Sequence, residues 1–197
     1  MAEFIAFTYK TFLSFQFSKR WMVAISYGVL CHVLFTISVL AMLVSMFFGM
    51  SQSFGKVPHP YSHFANLLLI IQFPLAHSFL LSSMGKKYLL YFSPKNYSLS
   101  LAPTVFVVLA SIQLFILFFF WTPTKIIIWQ ASGTSFFLMC LLYGFSWLLL
   151  IWATIDAGVE LQSGALGWMS LAQNIAPKFP DLPTFGLPII VTTKPLL

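Results

Sequence analysis

Apolar residues run almost without interruption through residues 21–50, 61–85, 101–121 and 135–155, and none of these stretches contains Asp, Glu, Lys or Arg. In hydrocarbon no water is available to pair free backbone N–H and C=O groups, so such runs are stable there only as membrane-spanning helices. The pattern therefore predicts an all-α, multi-pass transmembrane bundle of four spans, with a helix continuing from Ile155 to about Gln173. The first run, Trp21 to Met50, exceeds one bilayer crossing and can tilt or extend beyond it. It starts too late and is too long for a cleaved signal peptide.

Two flanking segments read differently. Residues 1–20 set Phe4, Ile5, Phe7, Phe12, Phe15 and Phe17 among Lys10, Lys19 and Arg20. They form either an interfacial amphipathic helix or a flexible tail. Residues 174–197 carry Pro177, Pro180, Pro183, Pro188 and Pro195 and predict an irregular tail, because repeated prolines break helices.

Composition agrees with the pattern. Apolar residues make up 59% of the chain and charged residues 7%, against roughly 25% charged in a soluble domain, and the mean hydropathy is +0.91. The formal charge of +6 follows from topology. With the N-terminus cytoplasmic, Lys10, Lys19, Arg20, Lys86, Lys87, Lys95, Lys178 and Lys194 lie inside, and only Lys56 and Lys125 outside. The expected surroundings are thus a lipid bilayer and membrane-protein partners, in a bacterial inner membrane or an organelle or endomembrane, and no nucleic acid is needed to explain the basic balance. Trp21, Trp121, Trp129 and Trp152 fall near span ends, where indole rings favour the headgroup region.

Candidate chemistry is sparse. Cys31 and Cys140 lie at unrelated depths, read as packing residues, and form no metal-type spacing. The sequon Asn96-Tyr97-Ser98 falls on a cytoplasmic loop in this topology and is read as chance. The second span is richest in polar groups, with His63, Asn66, Gln72, His77 and three serines around Pro74, which should bend the helix. Gln72 and His77, on either side of that bend, suggest a pocket; the alternative is that each only bonds a neighbouring helix. A bis-histidine haem would draw on His32, His63 and His77, and nothing selects a pair. Asp156 and Glu160 are spaced i, i+4 and share a face if the helix continues, either as a coupled carboxylate pair or as a solvated helix end.

Several segments in order resemble a known family. His77-Ser78, then Ala110-Ser111-Ile112-Gln113-Leu114 leading to Phe120-Trp121-Thr122-Pro123, then Tyr143-Gly144-Phe145-Ser146-Trp147-Leu148-Leu149, then Glu160-Leu161-Gln162-Ser163-Gly164 are similar to the integral-membrane methyltransferases. That group includes methanethiol S-methyltransferase, nurim and isoprenylcysteine carboxyl methyltransferase. The resemblance covers residues 65–187. It implies S-adenosylmethionine-dependent methyl transfer to a small thiol or lipophilic acceptor, a reaction that mainly needs alignment and exclusion of water. It also implies that His77 and Glu160 line or orient the acceptor pocket, with Gln72 in support.

The family's cofactor-binding half follows the fourth span, with an Arg-His-Pro or Arg-Gln-Pro, a Tyr, a membrane hairpin and a terminal Glu-Arg or Glu-Lys. Phe179–Leu187 looks like its beginning, but Pro188–Leu197 carries none of those elements. The resemblance thus implies a truncated or frame-shifted product, or a member that keeps the scaffold without catalysis. The other expectation is a non-catalytic, multi-pass subunit of a larger membrane complex, its Phe-rich faces against lipid, pigment or quinone.

Overall fold

A computed structural model describes residues 2–13, 18–124, 126–127 and 129–178. The residues of the Pro-rich tail beyond Lys178, and Lys125, lie outside the described residues. The described chain folds into helices α1 (Ala2–Leu13), α2 (Lys19–Phe47), α3 (Tyr61–Leu81), α4 (Ser83–Tyr91), α5 (Ser98–Phe119), α6 (Gly133–Asp156), α7 (Val159–Gln162) and α8 (Ala165–Gln173), with a 3-10 turn at Lys95–Tyr97 before α5. Helices α2, α3, α5 and α6 are long and apolar enough to cross a membrane, as the pattern predicts, and the fold is all-α.

The hydrogen bonds between helices fix their relative directions. Ser38 donates to the Ser111 carbonyl at 2.7 Å, and the Cys31 thiol faces the Thr104 carbonyl at 3.8 Å. Seven residues on α2 thus match seven on α5, and the two run parallel. Between α3 and α5 the pairing is reversed: Asn66 meets Thr122, Gln72 meets Gln113 and His77 meets Phe106. That up, down, up order is what short connections between successive spans require. Pro74 lies inside α3, whose helical run continues through it.

Three local breaks depart from the predicted spans. The second stretch does not run to Gly85: Ser82 takes an extended conformation, its hydroxyl accepts from the Gly85 amide at 3.1 Å, and the chain restarts as α4. The first stretch ends at Phe47, where Gly49 (φ 59°) and Met50 (φ 61°) turn the chain out of the helix. The largest departure follows α6. The predicted continuous helix to Gln173 is interrupted twice, at Gly158 (φ 92°) and Gly164 (φ 75°), conformations that glycine adopts without the Cβ penalty of other residues.

Helix α8 is the centre of the molecule. Its residues Ala165 to Ala172 are all buried, packed on Trp21, Ala24 and Leu101 of α2 and α5. Small residues make that depth possible. A Cβ on Gly28 would lie 2.8 Å from the Trp168 ring, and one on Gly167 would lie 2.8 Å from the Ser100 carbonyl oxygen. Helix α1 packs on the other side of α8, where Gln173 donates to the Phe7 carbonyl and the Thr11 hydroxyl at 3.1 and 2.7 Å. Of the two readings of the N-terminal segment, residues 2–13 take the helical one.

Helix α6 is the opposite case. It has no buried residue, with Phe136, Leu148 and Trp152 at 51%, 64% and 72% exposure. A Tyr143 hydroxyl bond to the Leu43 carbonyl at 2.7 Å and a ring contact with Phe47 hold it to the end of α2. Largely apolar and with no residue buried among the described residues, its surface fits lipid or a protein partner.

Candidate functional site: the seam between α3 and α5

The polar residues of the second span converge on one neighbour. Gln72 donates to the Gln113 carbonyl of α5 at 3.1 Å, and the Gln113 side-chain oxygen is buried with no hydrogen-bond partner among the described residues. The Gln72 amide is thus satisfied by a backbone carbonyl inside an apolar seam, where an unmade bond is costly. Gln72 also lines a groove of about 510 Å³ whose other walls are Ala65, Leu68, Leu69, Phe120 and the strap Phe54 to Val57, including Lys56.

The strap is held by backbone pairing and by the Thr122 hydroxyl, which accepts from the Val57 amide at 3.4 Å. Phe54 and Gly55 donate to the Phe119 and Trp121 carbonyls at 2.9 and 3.0 Å. Gly55 is there of necessity, since a Cβ would run into the Phe120 carbonyl oxygen. Asn66, 4% exposed, imitates a backbone partner: its side-chain nitrogen donates to the Thr122 carbonyl at 2.8 Å and its oxygen accepts from the Thr122 amide at 2.9 Å. The amide side chain therefore closes both valences of a residue just beyond α5. Asn66→Leu should leave the Thr122 N–H and C=O buried and unpaired, destabilising by about 2 kcal/mol, and amide hydrogen exchange at Thr122 is expected to accelerate more than at mid-α5 amides.

His77 lies farther along the same seam, outside the groove. Its ring stacks on Phe73 at 5.8 Å and meets the Phe106 edge at 4.9 Å, and its buried Nδ1 has no partner among the described residues. Glu160 is not brought to either residue. It sits on α7, partly buried, with no hydrogen bond to the seam among the described residues, and the break at Gly158 separates it from Asp156 at the end of α6. The shared carboxylate face required an unbroken helix, and the chain does not supply one. The structure thus joins Gln72 to the groove, places His77 beside it, and separates Glu160 from both.

Two polar centres were not evident from spacing. Thr104, fully buried, donates its hydroxyl to the Gly164 carbonyl at 2.7 Å and accepts from the Trp168 amide at 2.9 Å. His32 accepts at Nε2 from the Trp168 indole at 3.1 Å. Only Gly164, directly before a largely apolar segment, hinted at the first. His32 is thereby spent on an indole rather than turned toward His63 or His77, and no cluster of three or more metal-ligating side chains occurs among the described residues.

The chain matches no family model, no curated protein and no solved structure.

Proposed function

We propose that this is a multi-pass membrane protein of the methyltransferase-like kind, which receives a small thiol or other lipophilic acceptor in the groove between α3 and the strap at residues 54–57. The observation that carries the reading is the apolar groove itself with the Gln72 amide in its wall, Gln72 lying in the polar span within the resembling region. Apolar walls suit an acceptor that partitions from lipid, and the Gln72 amide gives it one polar contact.

S-adenosylmethionine is a different matter. It presents an amino-acid zwitterion, a ribose diol and an adenine, whereas the groove offers one ammonium, one amide, hydrocarbon and no carboxylate or guanidinium. These residues do not fit the cofactor, and no methyl-transfer step is derived through them. In the family the cofactor-binding half follows the fourth span, and of it this sequence resembles only the beginning, at Phe179–Leu187, outside the described residues.

Titration of detergent-purified protein with hexanethiol is the test. Saturable binding is expected, weakened about tenfold or more by Leu68→Trp, which fills the groove, and roughly two- to tenfold by Gln72→Leu, which removes one neutral hydrogen bond. Equal binding by the wild type and Leu68→Trp would remove the groove from the reading. Saturable binding of S-adenosylmethionine by the same preparation would extend it to catalysis; none would exclude the complete enzyme.

A second reading is favoured by the bare surface of α6: a non-catalytic subunit whose fourth span is covered by another membrane protein. Photocrosslinking from Leu148 separates the two, giving lipid adducts alone for a free-standing protein and a discrete protein adduct for a subunit.

A further inference from the structure

The groove beside α3 is apolar along its length and polar at its two ends. Ala65, Leu68, Leu69 and Gln72 of its wall are spaced i, i+3, i+4 and i+7, so they form one face of α3. Thr122 fixes how the strap sits against that face. Its hydroxyl accepts from the Val57 amide, and its backbone amide and carbonyl pair with the Asn66 side chain. Val57 and Asn66 are thus held to one residue, which sets Lys56, in the groove wall beside Val57, at the Ala65 end. Gln72 stands at the other end, about 10 Å farther along α3.

The two ends differ in chemistry. Lys56 is exposed and carries the charge in the wall. The acids of the chain are Glu3, Asp156, Glu160 and Asp181, so the strap, α3 and α5 contain none, and Lys56 forms no ion pair among the described residues. The ammonium has no counter-ion on any element that forms the groove. At the far end Gln72 spends an Nε2 hydrogen on the Gln113 carbonyl. Its Oε1 has no hydrogen bond among the described residues and is left to accept one from a ligand.

On the reading that this groove receives the acceptor, we propose that the acceptor is a chain molecule with an anion at one end and a weak hydrogen-bond donor at the other, an ω-mercapto carboxylate rather than a plain alkanethiol. The carboxylate pairs with Lys56, the methylene chain lies along Leu68, Leu69 and Phe120, and the thiol donates to Gln72 Oε1. Two different polar ends fix the direction in which the chain lies, which apolar walls alone leave open. A neutral thiol lacks the first contact and a fatty acid lacks the second.

Equilibrium dialysis of the full chain in detergent, against the same detergent without protein, compares ω-mercaptooctanoate with its neutral amide and with octanoate. Saturable binding of ω-mercaptooctanoate is expected, roughly three- to fivefold tighter than the amide, as an exposed ion pair allows, and about twofold tighter than octanoate, since a thiol is a weak donor. Lys56→Gln should erase the preference for carboxylate over amide, and Gln72→Leu the preference for ω-mercaptooctanoate over octanoate. Leu68→Trp should weaken all three. Equal binding of carboxylate and amide by the wild type, or either preference surviving its substitution, would overturn the proposal, while the acceptor groove still stands if the amide binds and Leu68→Trp weakens it. If none of the three binds saturably, both fall.

Discussion

Thr104→Val is expected to destabilise the folded protein by about 3 kcal/mol, one of the two largest losses predicted for a single substitution here. In a regular helix the Gly164 carbonyl would accept from the Trp168 amide. Instead the Thr104 hydroxyl stands between them, donating to one and accepting from the other, so one oxygen of α5 completes the first rung of α8. Valine has nearly the same shape, but it puts a methyl group where two buried backbone groups need a partner. Thr104→Ser keeps the hydroxyl and is expected to recover all but about 1 kcal/mol, the share of one buried methyl group. Unfolding in mixed micelles with increasing SDS, followed by tryptophan fluorescence, gives both values. A Val variant as stable as the Ser variant would show that the hydroxyl bridge contributes nothing.

Gly164→Val should cost about 4 kcal/mol by a different route. The backbone there is left-handed, φ 75°, which a β-branched residue adopts only under strain of about 1–3 kcal/mol. The new Cβ would also fall 2.7 Å from the Cys31 sulfur and 2.9 Å from the Val107 Cβ, and overpacking adds about 1–3 kcal/mol. Gly164→Ala meets the same contacts with less bulk and should lose about half as much. In the same SDS titration Cys31→Ala is expected to relieve part of the Gly164→Ala cost, because the sulfur is the nearest obstacle. Additive losses would mean that the sulfur contact adds no strain and that the cost lies in the backbone and the Val107 contact.

The spans were legible because an uncharged apolar run of sufficient length has only one stable use in lipid. The run predicted at 101–121 became α5, and that at 135–155 became α6. Their fates inside the molecule were not legible. Segments 135–155 and 165–172 are both predominantly apolar and uncharged, yet the first has no buried residue and the second is buried throughout. Periodicity records which residues avoid water, and both lipid and a protein core meet that demand. What separates the two is small-residue geometry, since Gly164, Gly167 and, across the interface, Gly28 allow α8 to approach closely.

The same reason explains the mixed outcome at the candidate site. Gln72 was legible as a costly group in hydrocarbon, and its partner proved to be the Gln113 carbonyl, forty-one positions away in the chain. Glu160 depended on helical phase carried through Gly158, and one glycine at positive φ resets that phase. Asn66 and Thr104 each close two backbone valences, a role set by chain paths that no local pattern encodes.

The burial of α8 also bears on how the protein is made. A segment seated among α1, α2 and α5 is synthesised after α6, so the earlier helices must wait in the membrane with their meeting place vacant. They remain so while a span that takes almost no part in that centre is threaded across. Assembly is therefore closed from the C-terminal side, and any delay in inserting α6 at the translocon holds the first three spans open to chaperones and proteases.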